Sequence, residues 1–67
     1  MVNHKSDLVD VNVFVHAETQ LAYLVSLDGD KSSAQWVPKS QCEIERHPQG
    51  HAILTAPEWF AIDRGFV

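Results

Sequence analysis

Cys42, His47 and His51 follow a C-x4-H-x3-H spacing, with His4 and His16 further upstream. Zinc takes four nitrogen or sulfur ligands. This chain offers one thiol and no C-x2-C pair, and strand alternation turns Cys42 inward beside Ile44. Cys42 with His47 or His51 also has the residue types of a nucleophile–base pair. A chain of 67 residues leaves little room for a substrate cleft and an oxyanion hole. Ser40 lacks the context of a nucleophile elbow. Glu43 and Glu45 lie two apart on an outward strand face, the ordinary pattern of a solvated sheet. No glycine-rich phosphate loop is present. The expectation is no catalytic residue, no cofactor and no metal, with Cys42, His47 and His51 as weak metal candidates.

Recognition chemistry is better represented. Gln35-Trp36-Val37-Pro38-Lys39-Ser40-Gln41 packs an aromatic, a cation and amide groups into one short stretch. Trp36 shares a strand face with Ala34, and Gln35 with Val37. The preferred reading makes Trp36 a core aromatic followed by a turn through Pro38, Lys39, Ser40 and Gln41. Trp36→Ala would then cost about 3–5 kcal/mol. The other reading makes Trp36, Lys39 and Gln41 a binding patch, because tryptophan is enriched at interface hot spots. Trp59 poses the same choice, with packing preferred more strongly. Phe14 falls on the polar face of its strand with Asp10, Asn12 and His16. It lies under the C-terminal helix or is an exposed aromatic on an edge strand.

The elements that must hold these residues are short strands. Val9 to His16 alternates strictly, with four valines on one face, and reads as a strand. A turn at Glu18-Thr19-Gln20 leads to a central strand, Leu21 to Leu27, apolar on both faces. Asp28-Gly29-Asp30 is a hairpin signal, since Gly29 can take positive φ. Ser33 to Val37 is a third strand ended by Pro38. Cys42 to Arg46 is a fourth, His47-Pro48-Gln49-Gly50 a compact turn, and His51 to Thr55 a fifth. Thr55-Ala56-Pro57-Glu58 matches a capping box with Thr55 as N-cap. A helix over about 56–64 follows, packing Trp59, Ile62 and Phe66 inward and stopping at Gly65.

These elements predict a mainly β domain over 8–67, a five-stranded antiparallel SH3-like or OB-like partial barrel with a short C-terminal helix. Residues 1–7 read as a flexible lead-in without the apolar segment of a secretory signal. The apolar share of 45% and charged share of 21% are those of a folded protein. A single cysteine leaves packing to hold the fold and suits a reducing cytoplasm. No apolar run is long enough to span a membrane. The net charge is −4, and the five basic residues are scattered, so the field opposes nucleic acid.

Trp36-Val37-Pro38-Lys39-Ser40-Gln41 and Pro57-Glu58-Trp59-Phe60-Ala61 resemble segments of small uncharacterised proteins encoded by bacteriophages and prophages. In those proteins an aspartate–glycine hairpin leads to W-[LVI]-P-[KR]-S-Q. They end in an E-W-[LF]-A helix followed by glycine. The resemblance covers about residues 20–67. It implies a compact β fold and a mobile-element origin, and no assigned chemistry.

Three functions are compatible with this reading. The first is a non-enzymatic protein-interaction module of phage or prophage origin, with Trp36, Lys39, Gln41 and Phe14 in the contact. The second is a nucleic-acid-binding module, which would show Lys31, Lys39 and Arg46 clustered about an exposed aromatic. The third is a homodimer or larger structural assembly, which would show an apolar patch including Phe14 or Phe66. An enzyme ranks last.

Overall fold

Five strands form one antiparallel sheet in the order β3-β2-β1-β5-β4. They are β1 (Leu8–Glu18), β2 (Ala22–Ser26), β3 (Gln35–Pro38), β4 (Glu43–Arg46) and β5 (His51–Pro57), followed by α1 (Glu58–Asp63). The structure, a computed structural model, describes residues 7–67. The expected lead-in therefore lies outside the described residues, apart from Asp7. The mainly β architecture with its short terminal helix agrees with the sequence expectation.

β1 is the middle strand and does two jobs. Its first half, from Leu8 to Phe14, pairs with β5, and its second half, from Phe14 to Glu18, pairs with β2. A bulge between Val15 and Ala17 separates the second pairing into two registers. An extra residue in one strand bends it and increases its twist. The bend is required by the chain itself. Pro38 and Glu43 belong to opposite edge strands, yet only residues 39–42 join them. That connection reaches at most about 18 Å. In a flat sheet the edge strands would lie about 19 Å apart, and the register would offset them by a further 26 Å or so. The open sheet must therefore curl into a partial barrel.

The core fills the inside of that curl. Val11 and Val13 of β1, Val25 of β2, Val37 of β3, and Ala52, Leu54 and Ala56 of β5 are all buried. Cross-strand register stacks Val11, Leu54 and Ile44 in one row across three strands. The alternating valines of β1 point inward as expected.

Two expectations about facing are overturned. Trp36 is exposed and Val37 is fully buried, so β3 shows the opposite face to the core. Pairing sets this phase: Val37 lies opposite Tyr23 and Gln35 opposite Val25, both on the inner side. Gln35 is accommodated there because its Nε2 donates to Arg64 O at 2.9 Å.

The helix is the second case. β5 continues to Pro57, in register with Leu8, and α1 begins at Glu58. Thr55 is thus a strand residue, not an N-cap; its hydroxyl donates to Asp10 Oδ1 at 2.6 Å. Extending the strand places Ala56 opposite Val9 on the inner face. The later start rotates the helix, so Phe60 and Ala61 are buried while Trp59 and Ile62 face solvent. Phe66 reaches the core by another route. Gly65 takes φ +77°, its N–H donates to Ile62 O, and Phe66 N–H donates to Ala61 O at 2.8 Å. This 6→1 and 5→2 pair satisfies the last carbonyls and folds Phe66 back under the helix.

The loop after β2 is longer than a two-residue hairpin. Gly29 has φ +82°, as its position demands, and a 3-10 turn follows at Lys31–Ser33. Asp28 Oδ1 accepts from Asp30 N–H and from the Ser33 hydroxyl, and Asp30 Oδ1 accepts from Ser32 N–H and its hydroxyl. The Asp30 backbone bond on Asp28, and the Ser32 bonds on Asp30, hold both carboxyls below the ordinary carboxylate range. A depressed folded-state value means the stabilisation is complete above the ordinary range and is lost as pH falls through it. Melting temperature should therefore hold near neutrality and fall below about pH 5. Asp28→Asn and Asp30→Asn together should flatten the acid limb of a Tm-against-pH profile. An unchanged limb would show that the loop carboxylates do not contribute.

Candidate functional site

The four residues singled out for binding do not form one patch. Trp36 lies on the outer face of edge strand β3 with 47% of its surface exposed. Its cross-strand neighbour on that face is Leu24, and Leu24 in turn lies opposite Ala17. This makes an apolar row across three strands whose outermost member is an accessible indole. The core reading of Trp36 is corrected: its removal opens no cavity.

Lys39 is engaged within the fold. Its Nζ lies 2.6 Å from Glu18 Oε2 and 4.8 Å from the centre of the Tyr23 ring. Arg46 Nη2 lies 3.6 Å from the other Glu18 oxygen. One carboxylate thus ties the end of β1 to the start of the β3–β4 connection and to the end of β4. The Lys39 hydrogen bond is the main cause that holds Glu18 below the ordinary carboxylate range, and the charge of Arg46 adds to it.

Gln41 is exposed on the same connection and lines a cleft of about 310 Å³. Leu8, Cys42, Thr55 and Pro57 also line it. Cys42 itself is buried, with Sγ 3.4 Å from Pro38 O, and burial pushes its thiol pKa up. A protonated, enclosed thiol is a packing group and a poor nucleophile.

Phe14 is neither beneath the helix nor on an edge. β1 is central, and Phe14 is half-buried against His51, with ring centres 5.8 Å apart edge to face. The loop passes close by as well, since a Cβ placed on Gly29 would touch the Phe14 ring at 3.6 Å. Its aromatic surface is largely spent on this packing.

The weak metal set falls apart. Cys42 precedes β4 and His47 follows it, so the strand itself, about 3.3 Å per residue, separates them. His47 and His51 are close to one another, with ring centres 5.8 Å apart, and Glu45 lies 3.2 Å from His47 Nε2. Among the described residues, no cluster of His, Cys, Asp and Glu is placed to hold a metal ion. His4 lies outside the described residues.

One polar pair was not legible in the sequence. His16 Nε2 and Ser26 Oγ are 2.7 Å apart, and Ser26 Oγ also accepts from Gly29 N–H at 2.9 Å. Ser26 is only 1% exposed, so the oxygen is enclosed and a substrate carbonyl has no approach to it. The pair anchors the loop to β1 and β2 and satisfies a buried hydroxyl.

The residues missed by periodicity are Trp59 and Ile62, at 61% and 58% exposure on the outer face of α1. Arg64 links that helix to Trp36. Its guanidinium carbon lies 4.6 Å over the Phe60 ring, and Nη1 donates to Trp36 O at 2.8 Å. The outward backbone carbonyl at Trp36 is thereby capped, which blunts this part of the sheet edge. Among the described residues, no helix is long and apolar enough to cross a membrane. Compared with known proteins, the chain matches no family model, no curated protein and no solved structure.

Proposed function

We propose that this protein is a non-enzymatic protein-interaction module, of phage or prophage origin, whose contact surface centres on the Trp36 edge of the sheet. The observation that carries the reading is an indole held in solvent above a core that closes without it. Solvent-exposed tryptophan on a rigid strand presents a large apolar area at small entropic cost, the property of an interface anchor. The mobile-element origin is supported by the W-V-P-K-S-Q and P-E-W-F-A segments.

Charge placement favours a protein partner over nucleic acid. Lys39 and Arg46 share Glu18, and Arg64 lies 3.9 Å from Asp63 while donating to the Trp36 carbonyl. Lys31 sits on the loop that carries Asp28 and Asp30. These cations are offset by carboxylates, whereas phosphate binding needs unneutralised ones. The homodimer reading through Phe66 loses its patch, because Phe66 is buried.

The test is affinity capture from bacterial lysate by the tagged protein and its Trp36→Ala variant, each with and without nuclease. Trp36→Ala should cost about 1 kcal/mol of stability or less. The expected result is a protein retained through nuclease treatment and lost with the variant. Enrichment that disappears with nuclease would favour the nucleic-acid reading. A variant that melts far below the parent would return Trp36 to a structural role.

A further inference from the structure

The outer face of α1 carries a second, chemically distinct surface. At about 100° per residue, Glu58, Ile62, Trp59 and Asp63 follow one another around the helix within an arc of about 140°. Ile62 and Trp59 form the middle of that arc, and a carboxylate flanks them on each side. All four side chains are exposed, while Phe60 and Ala61 fill the opposite, buried face. Residues three and four apart on a helix are surface neighbours, so the four groups are contiguous.

The charge pattern selects the occupant. Apolar surface this exposed calls for an apolar partner, and its acidic borders call for cations on both sides of that partner. A second copy of this chain fits poorly. Antiparallel pairing of two α1 helices would bring Glu58 of one copy toward Asp63 of the other. Asp63 is partly offset by Arg64 at 3.9 Å, but that guanidinium is committed to Phe60 and to the Trp36 carbonyl.

The geometry points to the Trp59–Ile62 face as the docking site for a basic amphipathic peptide segment, one with Lys or Arg on both borders of an apolar stripe. This inference rests on the reading of the protein as an interaction module and names the chemical class of partner. Its helix-in-groove counterpart places apolar anchors at helical spacing, which the i, i+3 pair Trp59 and Ile62 would meet.

The test uses two dye-labelled helical peptides, one of Leu and Lys and one of Leu and Glu in the same pattern, titrated with the intact protein by fluorescence anisotropy. Binding of the Leu/Lys peptide alone is expected. Trp59→Ala should weaken it roughly tenfold or more, and Glu58→Gln with Asp63→Asn should weaken it and reduce its salt dependence. Glu45→Gln, at the stretch of β4 paired with Ile53 and away from the strand end that leads into α1, should leave it unchanged. Ile62→Ser provides the same readout if Trp59→Ala folds poorly. Equal losses from the β4 and α1 charge changes, with none from Trp59→Ala or Ile62→Ser, would show mere charge attraction and overturn the proposal. Failure of both peptides to bind would also overturn it, even where Trp36-dependent capture from lysate upholds the interaction module. Sedimentation showing a dimer abolished by Trp59→Ala would assign the face to self-association instead.

Discussion

A chain ending at Pro57 should show no cooperative thermal transition and should aggregate or bind a hydrophobic dye. The truncation removes Phe60, Ala61 and Phe66, all buried against the sheet. Burying a phenylalanine contributes about 1.5–3 kcal/mol. Two of them approach the total of roughly 3–10 kcal/mol expected for a domain of this size. Deletion also uncovers the inner ends of β1 and β5, which α1 contacts. A six-residue helix has no independent stability, so its loss is entirely a loss of packing. Circular dichroism melts and dye binding would decide the matter. A soluble truncation with a sharp transition would show that the barrel closes without its helix.

Leu54→Ala is expected to be nearly as damaging, at about 2–5 kcal/mol. Leu54 is fully buried, and register places it between Val11 and Ile44 on the inner face. Backbone pairing on both sides holds β5 in place, which limits collapse around the cavity. Its neighbour Ile53 supplies the control. It lies between Asn12 and Glu45 on the outer face and is only half-buried. Ile53→Ala should therefore cost much less under the same denaturant titration. Comparable losses at the two positions would mean that the outer face is covered as well.

The strands were readable because period-two alternation is local. β1 shows this best: Val11 and Val13 are buried where the valine pattern predicts. Gly65 was readable too, because a helix stop needs positive φ, and Gly65 has it. The bulge in β1 left no such mark. His16 and Ala17 look like further alternation, and only the register shift against β2 reveals the extra residue.

For the candidate site, the sequence marked Trp36 as an unusual residue and could not orient it. Lys39 looked available because Glu18, its partner, lies far away in the chain and is brought beside it by the pairing of β1 with β2 and of β2 with β3. Spacing alone groups Trp59 and Ile62 with Phe66 and so points all three at the core. In the fold, Phe66 lies beyond the helix and returns through the Gly65 turn.

Composition and pattern by themselves determined the fold class, the approximate strand positions and the terminal stop. They did so because each depends on neighbours within a few residues. Tertiary structure decided which face of β3 and of α1 meets the core, and hence which aromatics remain in solvent. Alternation says which side chains share a face; it does not say which face is inside when both carry apolar groups. In β3 the choice fell to its pairing with β2 and to the bond from Gln35 to the Arg64 carbonyl. In α1 it fell to the two extra strand residues that delay the helix until Glu58.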